Sequence, residues 1–271
     1  MTHTRTELNA LLDAHDLGPS RALGQNFVVD PNTVRRIARL ADVGPGSQVI
    51  EIGAGLGSLT LALAETGASV TAVEIDRHLR PILETVVDGL DVTVVAGDAM
   101  ALDWPALLAR HEEWVLVANL PYNVATPLVL DLLRDAPQIS RMLVMVQLEA
   151  GERLVAGPGS GAYGIPSVKV ALRATSRLVG KVGPDVFHPR PRVDSALVEI
   201  VRRDRPVTDA DPDQLVALVE RAFNQRRKML RRSLAGIVSP EQFAAAAINA
   251  EDRPERLSVE DWGRLTQAVH R

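Results

Sequence analysis

Cysteine is absent from all 271 residues. That excludes disulfides, thiolate zinc sites and a Cys nucleophile, and it fits a reducing cytoplasm. Aromatic residues make up only 3% of the chain, so each ring has to be weighed singly. Lysine is scarce, at three residues (Lys169, Lys181 and Lys228) in a chain with 30 Lys+Arg. Arg suits phosphate forks, and the same bias also follows from a GC-rich genome. No stretch approaches the roughly 20 apolar residues of a membrane span. The opening MTHTRTELNALLDAHDL lacks the apolar core of a signal peptide. These absences lead us to expect a cytoplasmic protein with no membrane partner.

What is present begins with apolar residues, at 46%, enough for one large domain plus a small one. The net charge of −4 conceals an asymmetry: residues 1–149 carry −9 and residues 150–271 carry +5. An acidic total argues weakly against nucleic-acid binding, but the local balance matters more.

Asp30-Pro31 opens a helix, with Asp as N-cap and Pro at the first position. Val34, Ile37, Ala38 and Ala41 continue it at helical spacing. Then QVIEI (48–52), SVTAVEI (69–75), DVTVVAG (91–97), WVLVAN (114–119) and RMLVMVQL (141–148) read as strands. Helices are expected between them over 58–66, 77–87 and 126–134. Such alternation predicts an α/β fold with a parallel sheet covered on both faces. Ligands bind beyond the carboxyl ends of such strands. Gly53, Glu74, Asp98 and Asn119 all fall there. Beyond residue 150, SVKVALRAT, SRLVGKV and ALVEIVRR (196–203) suggest further strands. Residues 208–212 look like a linker. We therefore expect a domain over 1–205 and a small helical domain over 206–271, closed by a Ser258/Asp261 capping box.

Glu51-Ile-Gly53-Ala-Gly55-Leu-Gly57 joins the first of these strands to a helix. Its glycines allow a tight turn and close approach of a ligand. A dinucleotide site normally shows GxGxxG. GxGxG behind a strand-end acid resembles the first motif of class I methyltransferases. Glu74 can accept both ribose hydroxyls of a nucleoside, and Asp98 in GDAM can receive an adenine amino group. A dehydrogenase would use Glu74 in the same way, so this site alone leaves both classes open.

Asn119-Leu120-Pro121-Tyr122 resembles the [NDS]-P-P-[YFW] motif of amino methyltransferases. An adenine amino nitrogen is a poor nucleophile because its lone pair is delocalised into the ring. The Asn119 amide oxygen and the Leu120 carbonyl can accept its protons and favour a pyramidal nitrogen. Pro121 fixes its own φ and restricts Leu120. Tyr122 offers a face for an extruded base. No metal is needed, because the leaving group is a cationic sulfonium. Catalysis then rests on positioning and electrostatics.

LGQNF (23–27), EIGAGLGSLT (51–60), GDAM (97–100), NLPYNVATPL (119–128), GPGSGAYG (157–164), FHPRPRVDSALV (187–198) and FNQRRKMLRRSL (223–234) together resemble the small-subunit ribosomal RNA dimethyladenosine transferase family. The resemblance covers nearly the whole chain. It implies a class I, Rossmann-like fold with a mainly parallel seven-stranded sheet and a small C-terminal helical domain. The implied reaction is S-adenosyl-L-methionine-dependent N6,N6-dimethylation of two adjacent adenosines near the 3′ end of 16S rRNA. The enzyme would act late in 30S assembly, as a monomer. By resemblance, Asn26, Val28, Gly53, Gly55, Glu74, Asp98 and Asn119 touch the cofactor. Phe187 would face Tyr122 across the base pocket, with core packing as the alternative. Three departures occur: Leu148 where the family usually has Lys, NVAT for the common NIST, and Pro166 for Leu.

Arg226, Arg227, Lys228, Arg231 and Arg232 form a dense cluster. Read as one helix, it pairs Arg227 with Arg231 and Lys228 with Arg232 on shared faces. Such a cluster can grip phosphates, and Arg190 and Arg192 flank the expected pocket. Three rivals stand. One is the antibiotic-resistance family acting on large-subunit rRNA, against which Asp194 and FNQRRK argue. Another is a non-catalytic assembly factor, against which Asn119 and Tyr122 argue. The third is a dinucleotide oxidoreductase, disfavoured by GxGxG.

Overall fold

The computed structural model describes residues 2–20 and 22–270. In chain order its strands are β1 (Phe27–Val28), β2 (Gln48–Ile52), β3 (Ser69–Glu74), β4 (Val92–Ala96) and β5 (Trp114–Asn119). They continue with β6 (Ile139–Gln147), β7 (Ala174–Val182), β8 (Phe187–His188) and β9 (Ser195–Arg202). Seven of them form one sheet in the order β4-β3-β2-β5-β6-β9-β7. The first five of that order pair in parallel, and β9 returns antiparallel to β6. β1 and β8 form a separate antiparallel pair, with Val28 opposite Phe187. This is the expected α/β, mainly parallel, seven-stranded architecture.

The central strands are apolar on both faces because helices cover both. Val49, Ile50, Leu116, Val117 and Val144 are all buried. On one face the Pro31–Ala41 helix packs Val34, Ile37, Ala38 and Ala41 into the core, as its spacing predicts. Burial of each Val or Ile contributes about 1.5–3 kcal/mol. Its start is set by Asp30, whose carboxylate accepts from the N–H groups of Asn32 and Thr33. Such a cap contributes about 1 kcal/mol.

The chain divides into two compact units: Met1–Gly151 with Arg177–Val201, and Glu152–Ser176 with Arg202–Arg271. The later break lies close to the expected boundary at 205, but residues 152–176 also belong to the second unit. Tyr163, Val168 and Leu172 pack there with Leu215, Phe243 and Trp262. SVKVALRAT is accordingly not a strand. Ile165–Arg173 is an α-helix, and only the residues after it extend into β7. Its β-branched Val168 and Val170 suggested a strand, but burial outweighs so weak a preference. Ser167 Oγ starts the helix by accepting from the Gly164 N–H at 3.1 Å. The 208–212 stretch is packed rather than loose: Asp211 caps the Pro212–Phe223 helix, and Thr208 lies against Gly263.

Candidate active site

The strand order reverses between β2 and β5. In an open parallel sheet that switch point leaves a crevice beyond the carboxyl ends. Gly53 follows β2 and Asn119 ends β5, so the glycine turn and the NLPY loop meet there. A Cβ on Gly53 would lie 3.8 Å from the Asn119 carbonyl oxygen. Two adjoining hollows occupy this edge, sharing Leu23, Gly53, Ile75 and Pro121 in their walls. All these residues belong to the first unit.

The first hollow is floored by the glycine turn. Gly53 and Gly55 have φ of +74° and +58°, which L side chains rarely adopt. A Cβ on Gly55 would also sit 2.9 Å from the Phe27 ring, which rests directly on the turn. The Gly55 N–H donates to Glu74 Oε2 at 2.7 Å, and the Asp76 N–H donates to Glu74 Oε1 at 2.8 Å. Burial raises the Glu74 carboxyl above the usual range, while the Asp76 and Gly55 N–H groups pull it down. Each oxygen keeps acceptor capacity for a further donor.

Glu51 lines the same hollow and was assigned no role from sequence. It is only 2% exposed, and its Oε2 has no hydrogen-bond partner. Burial pushes its carboxyl up to about 8, and the charge on Glu74 adds to the rise. The acid ahead of the glycines was visible in sequence. What sequence did not reveal was that it would be buried and unsatisfied.

The second hollow is apolar with one acid at its rim. Ile75, Met100, Val124 and Leu128 line it with Asp98. Asp98 Oδ1 accepts from the Met100 N–H at 2.9 Å, and its carbonyl accepts from the N–H groups of Ala101 and Leu102.

The NLPY loop is held from several sides. The Leu120 N–H donates to the Met145 carbonyl on β6 at 3.0 Å. The Pro121 carbonyl accepts from the Val124 and Ala125 N–H groups, which starts the Ala125–Asp135 helix. Asn119 Nδ2 donates to the Asn26 carbonyl at 2.9 Å. That leaves the Asn119 amide oxygen and the Leu120 carbonyl as acceptors with no donor among the described residues. Half-buried Tyr122 makes a 2.9 Å hydrogen bond to Ser195 Oγ on β9. Burial raises its phenol above the usual tyrosine value.

The 23–28 segment forms part of the wall of the first hollow. Gln25 fastens it, donating to Asp76 Oδ2 at 2.9 Å and accepting from the Ser20 N–H at 2.7 Å. Asn26 and Val28 are part of that wall. The clasp of Gln25 on Asp76, 51 residues later, is a contact that sequence alone does not reveal.

Phe187 was expected to face Tyr122 across the base pocket, with core packing as the alternative. It is 0% exposed, it lines neither hollow, and its ring joins the core cluster of Val28, Ile37 and Leu197. The β1–β8 register sets it opposite Val28, and an aromatic ring gains most where it is wholly buried. The expectation of one helix through the basic cluster needs correction. Residues 224–229 are not helical, and a new helix starts only at Leu230–Ser233, so Arg227 and Arg231 share no helical face. Arg226 is turned inward, bonding Glu255 at 2.9 Å and the Gly161 carbonyl at 2.8 Å. Arg231 pairs with Glu251 at 3.5 Å. Arg227, Lys228 and Arg232 are exposed with no acidic partner among the described residues. Arg190 pairs with Asp185 at 3.0 Å on the surface of the first unit, and Arg192 is exposed. No helix among the described residues is long and apolar enough to cross a membrane.

Known proteins match this arrangement along almost the full chain. The family model described as "Ribosomal RNA adenine dimethylase" matches residues 20–270. A protein of Kineococcus radiotolerans named "Ribosomal RNA small subunit methyltransferase A" is 47% identical, covering 100% of this chain and 95% of its own. One of the same name from Streptomyces coelicolor is 45% identical, covering 96% and 94%. Among solved structures, the 23S rRNA methyltransferase ErmE superposes with a TM-score of 0.72 at 26% identity, covering 90% of this chain and 100% of its own. A dimethyladenosine transferase from Plasmodium falciparum shares the fold, with a TM-score of 0.75 at 23% identity over 87% and 94%. The chain belongs to the ribosomal RNA adenine dimethylase family and is a methyltransferase.

Proposed function

We propose that this chain transfers methyl groups from S-adenosyl-L-methionine to the exocyclic nitrogens of two adjacent adenosines near the 3′ end of small-subunit rRNA. It would act as a cytoplasmic monomer on a late pre-30S particle. The observation that carries this reading is the locked Asn119 amide beside the free Leu120 carbonyl. Two acceptors at the carboxyl end of β5 fit the two protons of an amino group.

The residues present fit the cofactor. Its methionine ammonium would satisfy the orphaned Glu51 Oε2, and its ribose hydroxyls would reach the remaining acceptor capacity of Glu74. The flat adenine would suit the second hollow, whose lining includes Ile75 and Met100, and Asp98 there would receive its amino group. Gly53, Gly55, Asn26 and Val28 complete the wall. When bound, the cofactor supplies an electrophilic methyl on a sulfonium that leaves as a neutral thioether.

Everything else falls to the chain. Asn119 Oδ1 and the Leu120 carbonyl draw the amino protons out of the adenine plane, which returns the lone pair to nitrogen. Tyr122 gives the extruded base a face to stack on. Pro121 keeps the Leu120 carbonyl aimed. After transfer the nitrogen carries a positive charge and releases its proton to water. Orientation and fixed dipoles supply the rate enhancement. Arg190, Arg192, Arg227, Lys228, Arg231 and Arg232 would contact RNA phosphates, with Arg226 bracing that surface from within. The name carried by the curated relatives at 45–47% identity, a small-subunit methyltransferase, supports the choice of substrate.

The test is to incubate the protein with S-adenosyl-L-methionine and undermethylated small subunits, then map modified bases by mass spectrometry. Dimethyladenosine near the 3′ end of 16S rRNA, absent with Asn119→Ala, is expected. Methylation confined to large-subunit rRNA would overturn the substrate assignment.

A further inference from the structure

Tyr122 and Ser195 stand 73 residues apart in sequence, yet their hydroxyls meet at 2.9 Å. Ser195 begins β9, is 0% exposed, and pairs in register with Gln147 of β6. The preceding residue is tied to the same strand pair, since the Leu148 N–H donates to the Asp194 carbonyl at 3.0 Å. Ser195 Oγ therefore sits on backbone that has little freedom to move. Meanwhile the Leu120 N–H hangs from Met145 on β6. The short loop from Leu120 to Tyr122 is thus suspended from two neighbouring strands, by its backbone at one end and by a phenol at the other.

A motif position that admits Tyr, Phe or Trp asks only for a ring face. Tyr at 122 gives the ring something more, a polar tip with a fixed partner. A half-exposed ring held only at Cα and Cβ can rotate about χ1 and χ2. Tethered at its far end, the ring keeps one plane before any base arrives.

We propose that Ser195 is a positioning residue for methyl transfer, holding the Tyr122 ring in the orientation on which the target base stacks. The inference rests on the proposed role of the NLPY loop. It gains leverage from an asymmetry of burial. Removing the Ser195 hydroxyl takes the partner from a residue that is only half-buried. Removing the Tyr122 hydroxyl strands the Ser195 Oγ in the interior, which is the costlier loss.

A double-mutant cycle tests it on the full-length protein with undermethylated small subunits. Single-turnover methylation, cofactor Kd and thermal midpoint would be measured for Ser195→Ala, Tyr122→Phe and the double variant. Each single variant should slow methyl transfer by about tenfold, the scale of one lost orienting hydrogen bond. The double variant should be no slower than either, rather than about a hundredfold slower, since both changes remove one interaction. Cofactor Kd should stay within about twofold throughout, a rate-specific effect that loosened packing would not produce. The thermal midpoint of Tyr122→Phe should rise on adding Ser195→Ala, as the orphaned hydroxyl is removed. Ser195→Ala at the wild-type rate, or fully multiplicative losses, would overturn the inference while leaving the loop assignment standing. Tyr122→Ala serves as the separate control: undiminished methylation there would overturn the loop's role and the inference with it.

Discussion

Asn119 gives its amide N–H to the main-chain carbonyl of Asn26, 93 residues earlier, at 2.9 Å. An amide can present oxygen or nitrogen to a substrate, and this bond decides which. With Nδ2 engaged, Oδ1 is the atom left to face the crevice. The acceptor comes from main chain, so no side-chain substitution at position 26 removes it.

Asn119→Asp separates charge from orientation. The carboxylate would set an anionic oxygen against the Asn26 carbonyl, with no donor to bridge them. The expected result is a loss of about 10² or more in single-turnover methylation, comparable to losing one preorganised dipole in an active site. The measurement is a rapid-quench assay with enzyme in excess over small subunits. A variant within threefold of wild type would dismiss the orienting bond as incidental.

Gly55→Ala should cost stability and cofactor affinity together. Its φ of +58° already penalises any Cβ, and the Phe27 ring stands 2.9 Å from where that Cβ would go. We expect a loss of about 1–3 kcal/mol in urea titrations. Adding Phe27→Leu should recover the steric part and leave the backbone part. Full recovery would show that φ carries none of the cost.

Glu51 predicts a pH signature. Its carboxyl is raised from 4.5 to about 8 in the folded protein. Between those values the folded state holds a proton that the unfolded state has lost. Stability of the cofactor-free protein should therefore fall as pH rises from about 4.5 to about 8, and Glu51→Gln should flatten that slope. Binding of a cationic cofactor near pH 7 should expel up to ~1 proton from Glu51. Calorimetry in buffers of different ionisation enthalpy reads this directly. Zero net release, unchanged in Glu51→Gln, would show that the carboxyl is already ionised.

The basic surface should divide by partner. Replacing exposed Arg227, Lys228 or Arg232 with Ala should lower the slope of log K against log salt by about 1 for each phosphate no longer gripped, with little change in melting. Arg226→Ala should instead lower the melting temperature, because Arg226 holds Glu255 and Gly161. Filter binding to 16S rRNA fragments and thermal denaturation together separate the two classes.

Much of this was legible in the sequence. Local rules were enough for Asp30-Pro31, for the Ser258/Asp261 capping box and for the five alternating strands, because each depends on neighbours a few residues away. The convergence of Gly53, Glu74, Asp98 and Asn119 followed from parallel topology alone. What escaped were facts of long range. Glu51 is unusual only because the fold buries it without a partner. Ser195 matters only because β9 returns beside β6 and meets Tyr122. The helix at Ile165–Arg173 depended on burial that Val168 and Val170 could not announce. Phe187 lay in a motif whose family role suggested a pocket, and the β1–β8 pairing turned it into the core.

The division of the chain at 151/152, 176/177 and 201/202 makes the two units interleaved rather than sequential. Neither exists as a continuous stretch of polypeptide. Cutting after residue 205 would not release a tidy catalytic half: it would strip Tyr163, Val168 and Leu172 of Trp262 and its neighbours, and leave an apolar wound on the piece retained. A ribosome making this chain must finish residue 262 before a core begun at residue 163 can close. The smaller unit is therefore among the last parts of the molecule to become whole.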